Sequence, residues 1–371
     1  MAQLPVCLGL CSVEAGDEVG FLTYGAPGEE PRRPAHALPG RVVHVPAPGA
    51  EGGVRVGAVL SSLIRGVLPS IRHADVVHVH GGSLIARAGA LAASLARRPV
   101  VLTLYGGEIW EYRRRRSGVD LFTRAYRTAA HVVFFSQGLL THAMQLGLGR
   151  RESSVIYPPV LSVFEYHDEA AQLQAREALG IRNRHVLVTV KRVDAYGGHR
   201  TLLEALSELI RTHPDTRLVI CGTGPLLPDA RDAARSWGVE GHVTFTGALA
   251  PEAVARYDAA ADVFVLPSLL DSCPPGALEA LASGTPVIAA DNPGGLELRE
   301  LFGFDVSVVP RGNALGLART LVHFLEDRRR VRPATYDLLN REFRPAHVGA
   351  QYRAIYARAV ERAAARTSGH V

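Results

Sequence analysis

Two carboxylates, Asp271 and Glu279, bracket the segment DSCPPGALE, and between them lies a Pro-Pro-Gly corner that reads as the start of a helix. Proline has no N–H and suits a first helical turn, where that donor has no intrahelical partner. The amides of Gly276 and Ala277 are therefore expected to be bare, with the positive end of the helix dipole behind them, which makes a site for a phosphate. One turn further in, Glu279 is near enough to accept hydrogen bonds from ribose hydroxyls. Asp271, in the preceding loop, is placed to hold sugar hydroxyls. A plainer reading fits the same residues: Asp271 caps the helix and Glu279 lies on a solvated face. The helix is expected to stop at Gly284.

The elements that must position this corner are legible as short apolar runs bounded by turn residues, with amphipathic stretches between them. That is the pattern of parallel strands covered on both faces by helices. Strands are expected near residues 18–24, 41–46, 75–80, 99–105, 131–136 and 154–157. A polar stretch from 162 to 183 holds none, and a second series follows near 185–190, 217–222, 242–247, 262–267, 286–290 and 306–310. Two Rossmann-like, doubly wound α/β domains facing a cleft follow from this, spanning residues 1–160 and 161–345. Residues 346–371 read as a long amphipathic helix expected to pack back toward the first domain. Only about seven residues separate PVCLGL from EVGFLTY, too few for a parallel crossover. The first domain is therefore expected to be truncated or remodelled at its start, with an in-frame upstream extension in the genomic DNA as the test.

Composition bounds the function. The 371 residues are 47% apolar with a net charge of +5, and Lys191 is the sole lysine among 41 basic residues. An arginine bias of this kind, beside abundant Ala, Gly, Val and Pro, reads as GC-rich codon usage and not as a nucleic-acid-binding patch. The four cysteines, Cys7, Cys11, Cys221 and Cys273, have no metal-type spacing, so zinc is not expected. No run approaches the ~20 apolar residues of a membrane span, and a cytoplasmic address is the default expectation.

With these residues in place, the chain resembles the GT-B retaining glycosyltransferases of family 4. The segment DSCPPGALEALASGTPVIAADNPGG resembles that family's E-x7-E region, VKRVDAYGGHRTLLEAL its Gly-Arg-…-Lys-Gly segment, VICGTGPL its G-x-G-P turn, and VTFTGAL the turn bordering the base. HADVVHVHGG and PVVLTLYGGE resemble the first domain more weakly. The resemblance implies that Glu279 binds ribose, that Asp271, where the family usually has Glu, orients the donor sugar, and that Arg192 neutralises the departing diphosphate. Gly222, Gly224 and Gly247 would let backbone approach the nucleotide, and Gly294 and Gly295 would shape the loop under the sugar and phosphates.

Departures from the pattern raise further expectations. Gly197 stands where the family has a lysine, so one cation expected at the leaving group is missing; Lys191 or Arg200 is expected to substitute. Tyr105 stands where many relatives carry a histidine facing the reacting sugar. His80, at the carboxyl end of its strand, and Glu108 are the other acceptor-side candidates, while His78 lies deeper and reads as structural. In EIWEYRRRRSG, Trp110 and Arg113 to Arg116 form a segment of the kind that rests on an anionic membrane surface, though a solvated helix end or a grip on a phosphorylated acceptor fits equally.

The resemblance implies transfer of a hexose-type sugar, from UDP-hexose or UDP-N-acetylhexosamine, to a hydroxyl of a small-molecule, glycan or lipid acceptor. It further implies retention by front-face attack, with no side-chain nucleophile, metal or other cofactor. Two alternatives stand beside it: a catalytically silent nucleotide-sugar-binding or partner protein, and a UDP-sugar epimerase or hydrolase. Nicotinamide chemistry fits poorly, because GTGPL lacks the third glycine and the later ribose acid of a dinucleotide site.

Overall fold

A computed structural model of the chain describes residues 3–24, 41–45, 68–113, 120–150 and 152–368. The chain divides into two compact units, one of residues 1–157 with 345–371, the other of residues 158–344.

In the first unit, β3 (Val77–His80), β4 (Val100–Leu104), β5 (His131–Phe134) and β6 (Ser153–Val155) form a parallel sheet in chain order. Continuous apolar runs form these strands because both faces are covered. One face packs Ala86, Ala90 and Ala93 of the helix Leu84–Leu95 and Phe122, Ala125 and Tyr126 of the helix Leu121–Thr128. On the other face lie Leu4 and Leu8 of the helix Gln3–Glu14 and Val348, Tyr352 and Ile355 of the helix Pro345–Ser368, against Val101 and Val133. PVCLGL thus belongs to a helix, and no strand starts the chain among the described residues. β1 (Gly20–Tyr24) and β2 (Arg41–Val45) pair in parallel with each other as a separate two-stranded ladder. This departs from the single strand series expected for the unit.

In the second unit, β7 (His185–Val190), β8 (Thr216–Cys221), β9 (Val243–Gly247), β10 (Val263–Leu266), β11 (Val287–Ala290) and β12 (Val306–Val309) form a parallel sheet in the order β12-β11-β10-β7-β8-β9. The order reverses between β7 and β10, and in open parallel sheets ligands bind outside the carboxyl ends of strands at such a switch point. The helices His199–Leu209 and Ala314–Asp327 cover one face through Leu202, Leu206, Leu317 and Leu321. The helices Glu169–Ala178, Pro251–Ala260 and Pro275–Ala282 pack on one another and on the other face. Gln172 and Arg176 fix the first of these by donating to the carbonyls of Ala261 and Ala260, and Arg176 also pairs with Asp262 at 2.7 Å.

Tyr352 is fully buried, and its hydroxyl lies 3.1 Å from Thr103 Oγ1 on the sheet. Tyr352→Ala is expected to destabilise the first unit by about 3–5 kcal/mol, the usual range for a large buried aromatic. Urea denaturation followed by a probe in each unit checks this: the transition of residues 158–344 should keep its midpoint while that of the first unit falls.

Candidate functional site

Four connections converge at the carboxyl ends of β7, β8, β10 and β11. The segment after β7 carries Lys191, whose Nζ lies 2.5 Å from Asp271 Oδ2, both side chains being less than one-fifth exposed. Arg192 points outward instead. Its side chain is 69% exposed, with Nε 3.3 Å from Asp194 Oδ2. Of the two substitutes expected for the missing cation, Lys191 meets the candidate site, whereas Arg200 sits over the Trp237 ring at 5.4 Å.

The helix Pro275–Ala282 has Pro274 as its N-cap, with no side-chain cap. Asp271 therefore does not cap it; its carboxylate is held by Lys191 and its carbonyl accepts from Gly294 N–H at 3.1 Å. The Gly276 amide has no protein acceptor among the described residues. That of Ala277 does have one, the Pro274 carbonyl at 3.2 Å, so the corner offers one free amide where two were expected. Gly284, at φ +86°, ends the helix in a left-handed conformation suited to glycine.

Glu279 is 6% exposed, which rules out a solvated face, and no protein group among the described residues hydrogen-bonds its carboxylate. Burial pushes its carboxyl up to about 7. Beneath it, on the helix Pro251–Ala260, lies a residue that sequence reasoning missed. Asp258 is fully buried with neither carboxylate oxygen partnered among the described residues, and burial, then the nearby Glu279, push it well above the ordinary carboxylate range. In sequence Asp258 is one acid followed by three alanines on a helix, with nothing to distinguish it from a solvated position.

The glycines have intramolecular reasons for being there. A Cβ on Gly222 would overlap the Lys191 carbonyl, one on Gly224 the Val193 carbonyl, one on Gly295 the Ala290 carbonyl, and one on Gly294 would come within 2.6 Å of the Ser272 carbonyl. These positions are closed by protein backbone. Gly247, at φ +75°, faces open space and accepts from Gly222 N–H at 2.8 Å. The helix Pro293–Phe302 is not bare either: Asn292 caps it through Gly295 N–H at 3.0 Å and ties the loop to the Ser268 carbonyl at 2.7 Å.

In the first unit, His80 Nδ1 lies 2.7 Å from the Tyr105 hydroxyl, so the structure brings these two candidates together. Burial lowers His80 to about 4 and raises Tyr105 well above its usual range, leaving a neutral imidazole beside a neutral phenol. His78 spends both ring nitrogens on Tyr356 and Thr103, at 2.7 and 2.8 Å. Glu108 is committed as well. Its Oε2 accepts from the amides of Tyr105 and Gly106 at 3.3 and 3.0 Å, and its Oε1 fills the space beside Gly81. It shapes the 105–106 turn and is not free for an acceptor. Trp110 is half-buried and stacks on His142 at 4.7 Å, and Arg113 is exposed; Arg114 to Arg116 lie outside the described residues. No helix among the described residues is long and apolar enough to cross a membrane.

Two family models match the chain, "Glycosyltransferase Family 4" over residues 8–160 and "Glycosyl transferases group 1" over residues 172–337. A GDP-mannose-dependent α-(1-6)-phosphatidylinositol monomannoside mannosyltransferase of Mycolicibacterium smegmatis is 32% identical over 57% of this chain and 57% of that one. The 2-deoxystreptamine glucosyltransferase of Streptomyces kanamyceticus is 27% identical over 85% of this chain and 86% of its own. The chain spans 27% to 59% of the length of five curated relatives it matches. Among solved structures, Anabaena Alr3699/HepE with UDP and glucose superposes with a TM-score of 0.75 over 95% of each chain, at 19% identity.

The Glu279 environment makes stability depend on pH. Its folded value of about 7 lies above the ordinary 4.5, so the protonated form favours the fold. That contribution is complete below about pH 4.5 and is lost as the pH rises through 7. A gap of about 2.5 pH units corresponds to about 3 kcal/mol. Glu279→Gln, uncharged throughout, is expected to be more stable than wild type at pH 8 by up to about 3 kcal/mol and equal to it at pH 4.5. Urea midpoints at the two pH values measure this, and parallel curves would contradict it.

Proposed function

The chain belongs to the family 4 glycosyltransferases, and on that premise we propose that it transfers a hexose-type sugar from a nucleoside diphosphate sugar to a hydroxyl acceptor, with retention at the anomeric carbon. Its fold is GT-B. The observation that carries the reading is Glu279: a buried carboxylate without a protein partner, one turn into a helix whose Gly276 amide is free. An acid costs several kcal/mol to hold in such a place, and ribose hydroxyls would repay it by donating to both oxygens. The Gly276 amide and the helix dipole would take the diphosphate. Asp271, fixed by Lys191, would orient the sugar.

In the proposed reaction, the bond from C1 to the phosphate oxygen breaks and its electron pair leaves with the phosphate. The acceptor oxygen bonds C1 from the same face, and its proton passes to the departing phosphate oxygen. Lys191 stabilises the charge that develops there, and Arg192, exposed and paired with Asp194, would turn in to assist. We assign recognition of the acceptor hydroxyl to the neutral His80–Tyr105 pair of the first unit. A mannosyltransferase relative that uses GDP-mannose and a structural neighbour that binds UDP leave both bases as donors to test; we favour UDP, with no metal in the site.

A mass-spectrometric screen of UDP- and GDP-sugars against hydroxyl acceptors is the direct test, with NMR of the product anomer for retention. Lys191→Ala is expected to lower kcat by about 10²–10³, the usual cost of one electrostatic donor to a transition state. Lys191→Arg should recover only part of that loss, and Arg200→Ala should leave kcat unchanged. If neither nucleotide binds and no sugar moves, the proposal falls.

A further inference from the structure

Position 197 is a glycine whose missing side chain has a visible replacement. A Cβ there would lie 2.5 Å from Nδ1 and 2.6 Å from Cε1 of His199, so the imidazole occupies the volume a side chain at 197 would need. His199 is the first residue of the helix His199–Leu209, whose N-cap, Gly198, provides no side-chain cap. The ring is 5% exposed, and neither nitrogen has a hydrogen-bond partner among the described residues. A buried imidazole with both nitrogens idle, at an uncapped helix N-terminus, is rare in a finished structure and points to something that arrives later.

The charge count says what arrives. Around this loop two cations, Lys191 and Arg192, face two carboxylates, Asp271 and Asp194. The loop is neutral before any ligand docks, and a nucleoside diphosphate adds two to three negative charges that it cannot balance. We propose that docking of the donor's diphosphate draws one proton from solvent onto His199, whose imidazolium then supplies the positive charge that a glycine at 197 cannot. This rests on the nucleotide-sugar reading above. In the free protein the ring is neutral: burial lowers it to about 4, with Asp194 acting to raise it and Lys191 to lower it further. Those two are the charged groups that bear on the ring, since Arg200, next along the helix, is turned over Trp237. An anion beside the ring reverses the balance and favours the cation.

The test is calorimetric titration with UDP, and with GDP as a second probe, at pH 6 in buffers of different ionisation enthalpy, for wild type and His199→Gln. Glu279 gives up a proton as ribose hydroxyls favour its ionised form, so the informative quantity is the difference between the two proteins. Wild type is expected to take up between about half a proton and one proton more per nucleotide than the variant, the lower figure if the bound ring titrates at about 6 and the higher if it titrates above about 7. The ratio of variant to wild-type Kd should grow about tenfold for each pH unit below the ring's bound-state midpoint. Should His199→Gln fail to fold, the imidazole resonances of wild type give the same answer, since one of the fifteen histidines should titrate at least two pH units higher with UDP than without. Equal proton counts, or no histidine shifted, would overturn the inference while leaving nucleotide binding intact. No binding of either nucleotide would remove the functional reading and this inference with it.

Discussion

At the carboxyl end of the six-stranded sheet, backbone touches backbone. The turn after β8 lies on the carbonyls of Lys191 and Val193, the turn before the helix His199–Leu209 lies on that of Pro267, and the turn after β11 lies on those of Ser272 and Ala290. Each contact needs a residue without a Cβ, so Gly198, Gly222, Gly224, Gly294 and Gly295 are steric requirements of the loops themselves. What they secure is the fixed placement of Lys191 against Asp271. Two loops that are distant in sequence deliver an ammonium and a carboxylate to one point, and interlocked main chains cannot drift as exposed loops do.

Around that fixed pair the second unit keeps groups that serve stability poorly. Glu279, Asp258 and His199 are each more than nine-tenths buried. Among the described residues, both carboxylate oxygens of Asp258 and both ring nitrogens of His199 are without a hydrogen-bond partner, and burial pushes the Glu279 carboxyl up to about 7. A core built for stability alone would hold apolar residues of the same volume there, since an unsatisfied buried polar group costs about 1–3 kcal/mol. Three buried ionisable groups in one unit, two of them unpartnered, fit a site whose partners come from outside the chain. Other buried polar side chains of the same unit are closed off: Asp305 takes Arg332 and Thr335, and Asn292 serves one amide and one carbonyl, though the hydroxyls of Thr189, Ser268 and Ser283 are also buried without a partner among the described residues.

Much of this was legible in the sequence, because strand position and burial on both faces are written in short apolar runs. The carboxyl ends of those strands, and with them the Asp271–Glu279 corner, followed directly. Side-chain commitments were not legible. Glu108 reads as an acceptor contact until its carboxylate is seen turned back on its own turn's amides, and Ala277 reads as a free amide until the first turn tightens onto Pro274. His199 and Asp258 are silent in the sequence for the converse reason: their meaning lies in the partners they lack, and a missing partner leaves no mark on the chain. The ladder of β1 and β2 separates from the sheet of the first unit for a reason that period and propensity do not encode, since they say that a strand forms and not which edge it joins.

One feature of composition gains meaning only from the geometry. Forty of the forty-one basic residues are arginine, so whatever pressure shaped this chain put arginine wherever arginine served. The exception is Lys191, in contact with Asp271 where both side chains are largely shielded from solvent. A guanidinium is a broad planar fork that favours two parallel contacts in one plane, whereas an ammonium is a compact point charge that can aim its donors at several acceptors in different directions. On the function proposed above, Asp271 would also hold a sugar and Lys191 would face a departing phosphate, and the second geometry would serve both neighbours. Arg192, one residue further on, faces solvent and has room for a fork. The two adjacent cations therefore divide the work by shape, with lysine where the space is closed and arginine where it is open.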